Sequence, residues 1–484
     1  MSAITGKAYI DRIDKMNNNV WIEGERVENK ISDHPAFKGV LATQAILYDT
    51  QHQVEHMTYP SPVSGNPVGT SFMPPKTLEQ LIQRRKTTQE WARKSGGMMG
   101  RSPDYMNTAL MAFAASKGLL EGEENAFPEN LQSFYEEARE NDYSLTHTFI
   151  TPQVNRSELY FEDSDEVIAA KIVDKNDDGI VIQGARLLAT QGGITDEVMV
   201  FSAGGCVDPA YAYSFSIPSN TKGLKFICRE SFAYKDSSFD YPLSSRFEEM
   251  DSIIVFDNVL VPWERVFFYE NLELSNKFLM ESAFRSFALH QVVSRQIVKI
   301  EFVLGIVESI VETINIGEYQ HVQAKVAEVI EALEIMKALL TRAEAEAGID
   351  RFGLMSPDIK SLQVANHYFP RIYPRFSEII QLLGASGMVS IPTEKDFKSK
   401  RKKDLELYLQ GATKDAEERL KVFRLAWDLS MSAFGTRQTL YERFFFGDPI
   451  RLSSALYKSY DKQPYVDWIN DFLVEKEDRD QEKN

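Results

Sequence analysis

The spacing of apolar residues divides the chain into regions of different secondary structure. Up to about residue 145, segments such as PKTLEQLIQRRKTTQEWARKS and YMNTALMAFAASKGLL follow the helical period. After that point EVIAAKIVD and GIVIQGARLLAT are β-rich runs, and the KNDDG between them predicts a hairpin. Two further β runs, LKFICRESFAY and SIIVFDNVLVPWERVFFY, extend the pattern to about residue 269 and predict a compact barrel or sandwich.

Beyond residue 275 the apolar period is helical again. One stripe runs from Ile297 to Ile314 and another from Val322 to Leu340, on either side of the break NIGEYQ. Two long antiparallel helices and further helical segments predict a bundle. We therefore expect an α+β fold with a mostly helical N-terminal domain (1–145), a central β-barrel domain (146–275) and a C-terminal helical bundle (276–484). Acyl-CoA dehydrogenases have this order, with flavin between barrel and bundle, but a shared fold does not establish a shared function.

Composition narrows the class of protein. The chain has 484 residues, of which 43% are hydrophobic and 26% charged, as in folded globular proteins. Its net charge of −17 argues against a nucleic-acid or anionic-membrane partner. The two cysteines, Cys206 and Cys228, form no CxxC pair, so we expect a reducing compartment and no metal centre. Since the N-terminal segment lacks an apolar signal core, we predict a cytoplasmic protein.

Several common catalytic motifs are missing from the sequence. No GxGxxG follows a predicted strand, and GxxxxGK[ST], HExxH and GxSxG do not occur. A Rossmann dehydrogenase, a P-loop NTPase, a zinc protease of the HExxH type and an α/β-hydrolase are therefore disfavoured.

The segment RSPDYMN (101–107) has the features of a helix start. Ser102 can cap the helix, Pro103 suits its first position and Asp104 complements the helix dipole. Arg101 and Tyr105 flank this cap, and the glycine-rich KSGGMMG before it allows a close approach of the backbone. By itself the segment is compatible with a plain helix N-terminus and a surface arginine.

Two polar segments around the β region could carry chemistry. YSLTHTFITPQVNR places His147 where the helical region meets the β unit, followed by Gln153, Asn155 and Arg156, donors that suit a phosphate or a flavin ring. LLATQGGITDEV ends a predicted strand with Thr190 before two glycines, where a hydroxyl and exposed backbone could meet a flat ring. Alternatively, His147 is a histidine whose hydrogen bonds are satisfied at the junction, and the segment after Thr190 is an ordinary turn.

Two aromatic segments are ambiguous in the same way. FSAGGCVDPAYAYSFSIP (201–218) is predicted as a long loop, either a lid over an aromatic substrate or a surface excursion packed by its own side chains. YERFFFGDPIR (441–451) leads three phenylalanines into a Gly-Asp-Pro turn that could approach a dinucleotide, although an aromatic stripe is more often core.

The ordered set of segments resembles the oxygenase component of two-component, FAD-dependent aromatic monooxygenases, the 4-hydroxyphenylacetate 3-monooxygenase family. The resemblance spans nearly the whole chain, through TGKAYIDRI, RSPDY, THTFITPQVNR, LLATQ, PLSSRFEEMDSIIVFDNVLVPWERVF, LHQVVSRQIVKIEFVLG and YERFFFGDP. It implies a homotetramer built as a dimer of dimers, with reduced FAD (FADH2) supplied by a separate NAD(P)H:flavin reductase, and hydroxylation of a phenolic acid to a catechol.

The resemblance also implies roles for particular residues. Arg101, Tyr105 and His147 match catalytic residues around the phenol and the flavin, and Ser202 and Ala203 match substrate-binding positions. The flavin-binding positions of the family match His147, Thr148, Gln153, Val154, Asn155, Arg156, Thr190, Phe446, Gly447, Asp448 and Pro449.

The chemistry of these residues agrees with the implied reaction. A phenol attacks activated oxygen better as phenolate, so the permanent charge of Arg101 should lower the pKa of the phenol. His147 can accept the phenol proton, and Tyr105 can orient the phenol. The iron–sulfur dehydratases of this fold need cysteines that the chain lacks. A chlorophenol or simple phenol as substrate, an acyl-CoA dehydrogenase-like flavoenzyme and an inactive flavin-binding scaffold stay open as alternatives.

Overall fold

The computed structural model of the chain describes residues 3–152, 167–233 and 237–481. The first part is mostly helical, with α1 (Gly6–Met16), α2 (Lys38–Thr50), α3 (Leu78–Lys94), α4 (Pro103–Ala115) and α5 (Pro128–Asn141). Four short strands lie between these helices, β1 (Val20–Ile22), β2 (Glu25–Arg26), β3 (Thr58–Pro60) and β4 (Pro67–Gly69).

The start of α4 differs from the sequence-based expectation. Ser102 stands at the N-cap position and Pro103 at the first helical position, but the Ser102 side chain accepts no backbone N–H. Its hydroxyl instead donates to Asp104 Oδ1 at 2.5 Å. The Asp104 carboxylate is buried and also accepts from Gln291, because a buried carboxylate requires hydrogen-bond donors. The predicted hydroxyl cap is therefore wrong, while the predicted helix is confirmed.

The middle of the chain forms most of two sheets. Its strands are β5 (Leu145–Thr148), β6 (Lys171–Asn176), β7 (Gly179–Thr190), β8 (Glu197–Val200), β9 (Tyr213–Pro218), β10 (Leu224–Cys228), β11 (Asp251–Pro262) and β12 (Val266–Tyr269). One sheet has the order β2-β1-β10-β11-β7-β6 and the other β12-β9-β8-β5. The predicted hairpin is confirmed, since Asn176 pairs with Gly179 across a two-residue turn.

The two sheets pack against each other through apolar inner faces. The rings of Phe215 on β9 and Phe256 on β11 meet edge to face at 6.3 Å between centroids. Within the described residues the strands form these two sheets rather than one closed barrel. Two details differ from the prediction. The strands β1 and β2 of the N-terminal region extend the larger sheet, and the expected loop 201–218 ends in a strand, β9.

The last part of the chain is a bundle around α8. A short helix, α6 (Ser244–Phe247), precedes it between β10 and β11. The helices that follow β12 are α7 (Leu272–Glu281), α8 (Phe284–Ile314), α9 (Gln320–Ala345), α10 (Ile359–Gly384), α11 (Glu394–Phe397), α12 (Lys402–Tyr408), α13 (Ala416–Ser430), α14 (Ala433–Phe444), α15 (Pro449–Ser459) and α16 (Gln463–Gln481). A small hairpin, β13 (Gly348–Ile349) with β14 (Met355–Ser356), follows α9. The predicted apolar stripe of α8 is buried, so the two long helices expected on either side of NIGEYQ are confirmed. No helix in the described ranges has the length and apolar character needed to cross a membrane.

Candidate active site

The loop before α4 is held in place by a buried glutamate. Glu249 accepts the backbone N–H of Gly100 at 2.9 Å and that of Arg101 at 2.6 Å. Gln191 donates both to Glu249 and to the Arg101 carbonyl oxygen. A Cβ atom at position 100 would lie 2.1 Å from the Tyr441 hydroxyl, so only glycine fits there. The loop thus fixes where the Arg101 side chain begins.

Arg101 lies among aromatic rings. Its guanidinium carbon is 4.2 Å from the ring centroid of Tyr105 and 5.0 Å from that of Phe445. Arg101 Nη1 donates to the Tyr441 hydroxyl at 2.6 Å, whereas Nε is buried without a hydrogen-bond partner in the described structure. No described carboxylate forms an ion pair with this side chain, so its charge is not neutralised by a neighbour.

His147 is stacked in a column of rings on β5. Its imidazole lies 5.5 Å from both Phe149 and Phe201, nearly parallel to each, and 5.7 Å from Tyr105. Burial, together with the nearby charge of Arg101, holds the pKa of His147 well below its usual value. The imidazole is therefore neutral at pH 7 and able to accept a proton.

Tyr105 is buried beside both groups. Burial raises the pKa of its phenol, and the Arg101 charge only partly opposes that rise, so Tyr105 remains protonated at neutral pH. Its hydroxyl makes no hydrogen bond within the described part of the chain, which leaves it available to a bound molecule.

A cavity of about 320 Å³ opens beside these side chains. Its lining is mostly apolar but includes two arginines, and consists of Arg101, His147, Phe149, Ile150, Leu188, Thr190, Asp251, Arg437, Leu440, Tyr441, Phe444 and Phe445. Leu188 has a positive φ of 60° and is 51% exposed, a strained conformation of the kind that collects at functional sites.

The far side of this cavity is built by an ion pair between sheet and bundle. Arg437 on α14 donates to both oxygens of Asp251, at 3.0 and 2.8 Å, and Thr190 donates to Asp251 Oδ1 at 2.8 Å. Burial would raise the pKa of Asp251, but Arg437, Arg229 and Thr190 lower it to about 2. Arg437 Nη1 is buried without a hydrogen bond, 3.5 Å from Glu249 Oε2.

The other predicted site residues divide into four groups. Ser202 and Ala203 line a second cavity of about 130 Å³, which shares Phe149 with the first. Thr148 is fully buried and donates its hydroxyl to the Leu187 carbonyl. The remaining predictions concern the Phe446–Pro449 turn and the stretch 153–156.

In that turn, Phe446 packs against the core, and Asp448 caps α15 by accepting from Ile450 and Arg451. The preceding Phe444 and Phe445, rather than 446–449, line the larger cavity. Gln153, Val154, Asn155 and Arg156 lie outside the described residues.

Sequence reasoning missed several residues of the site. Glu249, Asp251, Arg437, Tyr441 and Phe445 were not among the expected side chains. One signal was present, because Arg437 and Tyr441 are four apart and therefore share a face of α14. Glu249 and Asp251 flank Met250 at the start of a strand. This local pattern does not predict that their partner is Arg437, in a helix nearly 190 positions later.

Family models cover almost the whole chain. The model described as 4-hydroxyphenylacetate 3-hydroxylase N terminal matches residues 5–268, and the corresponding C terminal model matches residues 275–474. The chain belongs to the 4-hydroxyphenylacetate 3-hydroxylase family. A probable 4-hydroxyphenylacetate 3-monooxygenase from Bacillus subtilis is 55% identical over 477 residues, covering 98% of this chain and 99% of that protein.

Solved structures agree with this family. The oxygenase component of 4-hydroxyphenylacetate 3-monooxygenase, in complex with FAD and 4-hydroxyphenylacetate, matches with a TM-score of 0.92 and 43% identity, over 98% of this chain and 99% of that one. A 4-hydroxybutyryl-CoA dehydratase from N. maritimus shares the fold alone, with a TM-score of 0.87 and 18% identity over 98% and 95% of the two chains. The predictions of a 4-hydroxyphenylacetate hydroxylase-like chain and of its α+β fold are confirmed.

Proposed function

We propose that this chain is the oxygenase component of a two-component flavin monooxygenase that hydroxylates a phenolic acid ortho to its hydroxyl. The observation that carries the proposal is that Arg101 and His147 line one cavity and that both pack against the ring of Tyr105. In the net reaction the phenol, O2 and FADH2 give the catechol, water and FAD. 4-Hydroxyphenylacetate is the substrate we favour, because relatives named for it match the chain over nearly its full length.

Arg101 would act on the phenol oxygen. A positive charge close to this oxygen favours the phenolate, whose ring is the better nucleophile. The Arg101 guanidinium stays charged at any working pH and is not paired with a described carboxylate. Tyr105, with a protonated and unengaged hydroxyl, would donate a hydrogen bond to the same oxygen.

His147 would take the phenol proton. A general base must be unprotonated before it acts, and the lowered pKa of His147 meets this condition. Its ring is fixed between Phe149 and Phe201, so the orientation of its nitrogen atoms is set before a substrate arrives.

The larger cavity has the composition expected of a flavin site. Apolar side chains such as Leu188, Leu440 and Phe444 offer flat contact surfaces, and the buried Arg101 Nε, which makes no hydrogen bond to a described residue, suits an anionic ring. When bound, reduced FAD supplies the two electrons and activates the oxygen. Thr190 would hold it from one side and His147 from the other, while roles for Thr148, 153–156 and 446–449 stay predictions.

Partners of the chain follow from the same proposal. A separate NAD(P)H:flavin reductase would supply reduced FAD by diffusion, and the chain itself lacks a nicotinamide-binding motif. We also propose the homotetramer and the cytoplasmic location predicted above, together with the three domain boundaries.

Anaerobic loading tests the proposed function. The purified chain is mixed with reduced FAD, then with air-saturated buffer and one of several phenols, and the products are separated by chromatography. We expect a catechol from 4-hydroxyphenylacetate, tight binding of reduced rather than oxidised FAD, and no NADH oxidation by the chain alone. Two results would contradict the proposal. One is that every phenol yields hydrogen peroxide and no catechol, and the other is rapid NADH oxidation by the chain with FAD.

A further inference from the structure

His147 stands on a short strand whose own sequence does little to fix its register. All four residues of β5 are buried, so the strand lacks the alternation of core and solvent positions that ordinarily sets a register. It pairs in parallel with β8, with His147 beside Met199. A shift of this pairing by one residue would turn the imidazole to the opposite face of the sheet, away from Arg101.

The hydroxyl groups of the strand do not remove this ambiguity. Thr146 and Thr148 donate to the carbonyl oxygens of Thr190 and Leu187 on β7. Ser144 offers a third hydroxyl two positions before Thr146. A shift of two residues would therefore keep a hydroxyl at both places, because alternate residues of a strand share a face. Another contact is needed to select one register.

Asp196, directly before β8, makes such a contact with Ser144, directly before β5. Asp196 Oδ2 accepts both the backbone N–H and the hydroxyl of Ser144, each at 2.7 Å. In return, the Asp196 N–H donates to Ser144 Oγ at 3.0 Å and to the Ser144 carbonyl oxygen at 2.9 Å. Thr146 could offer the same donors, so the choice between Ser144 and Thr146 depends on where the preceding chain is held.

Arg12 on α1 holds that preceding chain. Arg12 Nη2 donates to Asp196 Oδ2 at 2.7 Å and to the Asp142 carbonyl oxygen at 2.9 Å. Its Nη1 donates to the carbonyl oxygen of Asn141, the last residue of α5, at 2.9 Å. One guanidinium thus fixes the end of the helix relative to the Asp196 carboxylate. Ser144, two positions after Asp142, is thereby the residue that reaches Asp196.

The acid next to Asp196 contacts other elements. Glu197 is also buried, but its Oε2 accepts from the Ser216 hydroxyl on β9 at 3.1 Å and its Oε1 lies 3.6 Å from Arg265 Nη1. Within the described residues, the side chain of Asp196 is hydrogen-bonded to the start of β5 and that of Glu197 is not. Two adjacent buried acids therefore have different structural partners, which allows a matched comparison.

We propose that Arg12 and Asp196 are positioning residues for His147. They select the register of β5 and so set where the imidazole stands beside Arg101. The inference rests on the proposed function, in which His147 takes the phenol proton. Proton transfer requires the base at hydrogen-bond distance, so loss of this contact should slow the chemical step.

The first test compares the two neutralised acids on the full chain. In Asp196→Asn we expect the pKa of His147 to rise towards about 6.5, because a displaced imidazole loses part of its burial. Nuclear magnetic resonance of histidine-labelled protein follows this titration, with His147→Asn identifying the signal. Single-turnover hydroxylation should fall about 10- to 100-fold, as for a misplaced catalytic group. Glu197→Gln is the control and should leave the pKa of His147 and the yield of catechol unchanged.

A milder pair of variants keeps the test decisive if Asp196→Asn does not fold. Ser144→Ala removes the hydroxyl that donates to Asp196, and Ser216→Ala removes the one that donates to Glu197. Each variant loses one buried hydrogen bond to an acid, so we expect similar falls in melting temperature. Only Ser144→Ala should raise the pKa of His147 and lower the amount of catechol formed per reduced FAD consumed.

The comparison with the controls decides between positioning and general stability. An unchanged pKa of His147 in Ser144→Ala would overturn the inference, whatever the melting temperature. Equal changes in Ser144→Ala and Ser216→Ala would overturn it too, because loss of stability would then be the common cause.

The pKa measurement also separates this inference from the proposed function. If the wild type forms no catechol but the pKa of His147 rises in Ser144→Ala and not in Ser216→Ala, the positioning role is supported and the hydroxylase proposal is overturned. If the wild type forms catechol and Ser144→Ala changes neither the yield nor the pKa, the positioning role alone is overturned.

Discussion

At the scale of single residues, the site depends on which charges are left without partners. Arg101 and Arg186 are each bound only to neutral groups among the described residues, whereas Arg437 is matched to Asp251. Arg437 therefore acts as part of the framework. The charge of Arg101, which no described carboxylate neutralises, is therefore the one we expect to meet a bound phenol.

Removal of Arg101 or His147, the two groups to which we assign the chemistry, should uncouple flavin oxidation from hydroxylation. In Arg101→Met and His147→Asn we expect the rate of hydroxylation to fall about 10²–10³-fold, as when a well-placed charged donor is lost. Reduced flavin should still react with oxygen, so hydrogen peroxide replaces catechol. Tyr105→Phe should cost less, since it removes only one hydroxyl.

The ratio of catechol formed to reduced FAD consumed is the measurement for these variants. Arg371 on α10 is exposed, so Arg371→Met is a matched control that should stay coupled. Full coupling at normal rates in both Arg101→Met and His147→Asn would mean that Arg101 is an ordinary arginine beside a helix start.

The lowered pKa of His147 predicts the pH dependence of hydroxylation. His147 must be neutral to accept a proton, and it is protonated only when the pH falls through its lowered pKa. Single-turnover hydroxylation should therefore persist as the pH is lowered through 6.5, the ordinary pKa of histidine, and decline only further below it. In Arg101→Met the repulsion from Arg101 is absent, so the pKa of His147 should rise.

Nuclear magnetic resonance of histidine-labelled protein can follow this titration directly, with His147→Asn identifying the signal. If the pKa of His147 in the wild type is unshifted, at about 6.5, the conclusion that burial and the Arg101 charge lower it is wrong.

At the scale of elements, α14 joins the bundle to the site. Arg437 and Tyr441 project from successive turns of this helix, one to Asp251 and the other to Arg101. On its other side, Glu442 accepts from Arg295 and Lys299 of α8, which lower the pKa of the buried carboxyl. The position of Arg101 thus depends on how α14 packs against α8.

Tyr441 should act as a positioning residue for Arg101. Tyr441→Phe removes the oxygen that accepts from Arg101 Nη1 and leaves the stacked contact with Phe445. We expect a drop of about tenfold in hydroxylation with partial uncoupling, as for loss of one charged hydrogen bond, and little change in melting temperature.

The control for this variant is Tyr457→Phe on α15, where the side chain is exposed. A melting temperature that falls strongly with unchanged coupling would assign Tyr441 to stability instead. A readout specific to positioning is the pKa of His147, which should shift in Tyr441→Phe if Arg101 moves.

At the scale of the whole molecule, the last helix exposes an apolar surface that suits contact with another copy. Trp468 is 68% exposed and Phe472 60%, and Tyr465, Ile469 and Leu473 are also more than half exposed. Large aromatic side chains on one helix are unfavourable in water and are typical of interfaces. This surface supports the predicted homotetramer.

Polar substitutions on α16 should weaken the tetramer. For the double variant Trp468→Ser and Phe472→Ser we expect a smaller species by light scattering at micromolar concentration, because apolar burial between copies is lost. The matched control is Asp467→Ser with Asp471→Ser on the same helix, which should leave the mass unchanged. A monomeric wild type would contradict the tetramer, and a tetramer unaffected by the first pair would place the interface elsewhere.

The sequence by itself determined the elements whose signals are local. The apolar period of α8 and α9 predicts two helices on either side of a break, and the Asp-Asp-Gly turn predicts the β6–β7 hairpin. Both follow from side chains a few positions apart, which is the range over which helical periodicity and turn chemistry act. The family motifs likewise implied that Arg101, Tyr105 and His147 belong to one catalytic site.

Only the tertiary structure decided how distant segments complete the site. Arg437 and Asp251 are 186 positions apart, and Glu249 reaches back to the loop before α4. The strand β1 joins the larger sheet beside β10, and Arg186 is left unpaired beside the smaller cavity. No local sequence pattern predicts these arrangements, because the packing of distant elements determines which group a buried charge contacts. Periodicity along the chain records which face is buried but not what is buried against it.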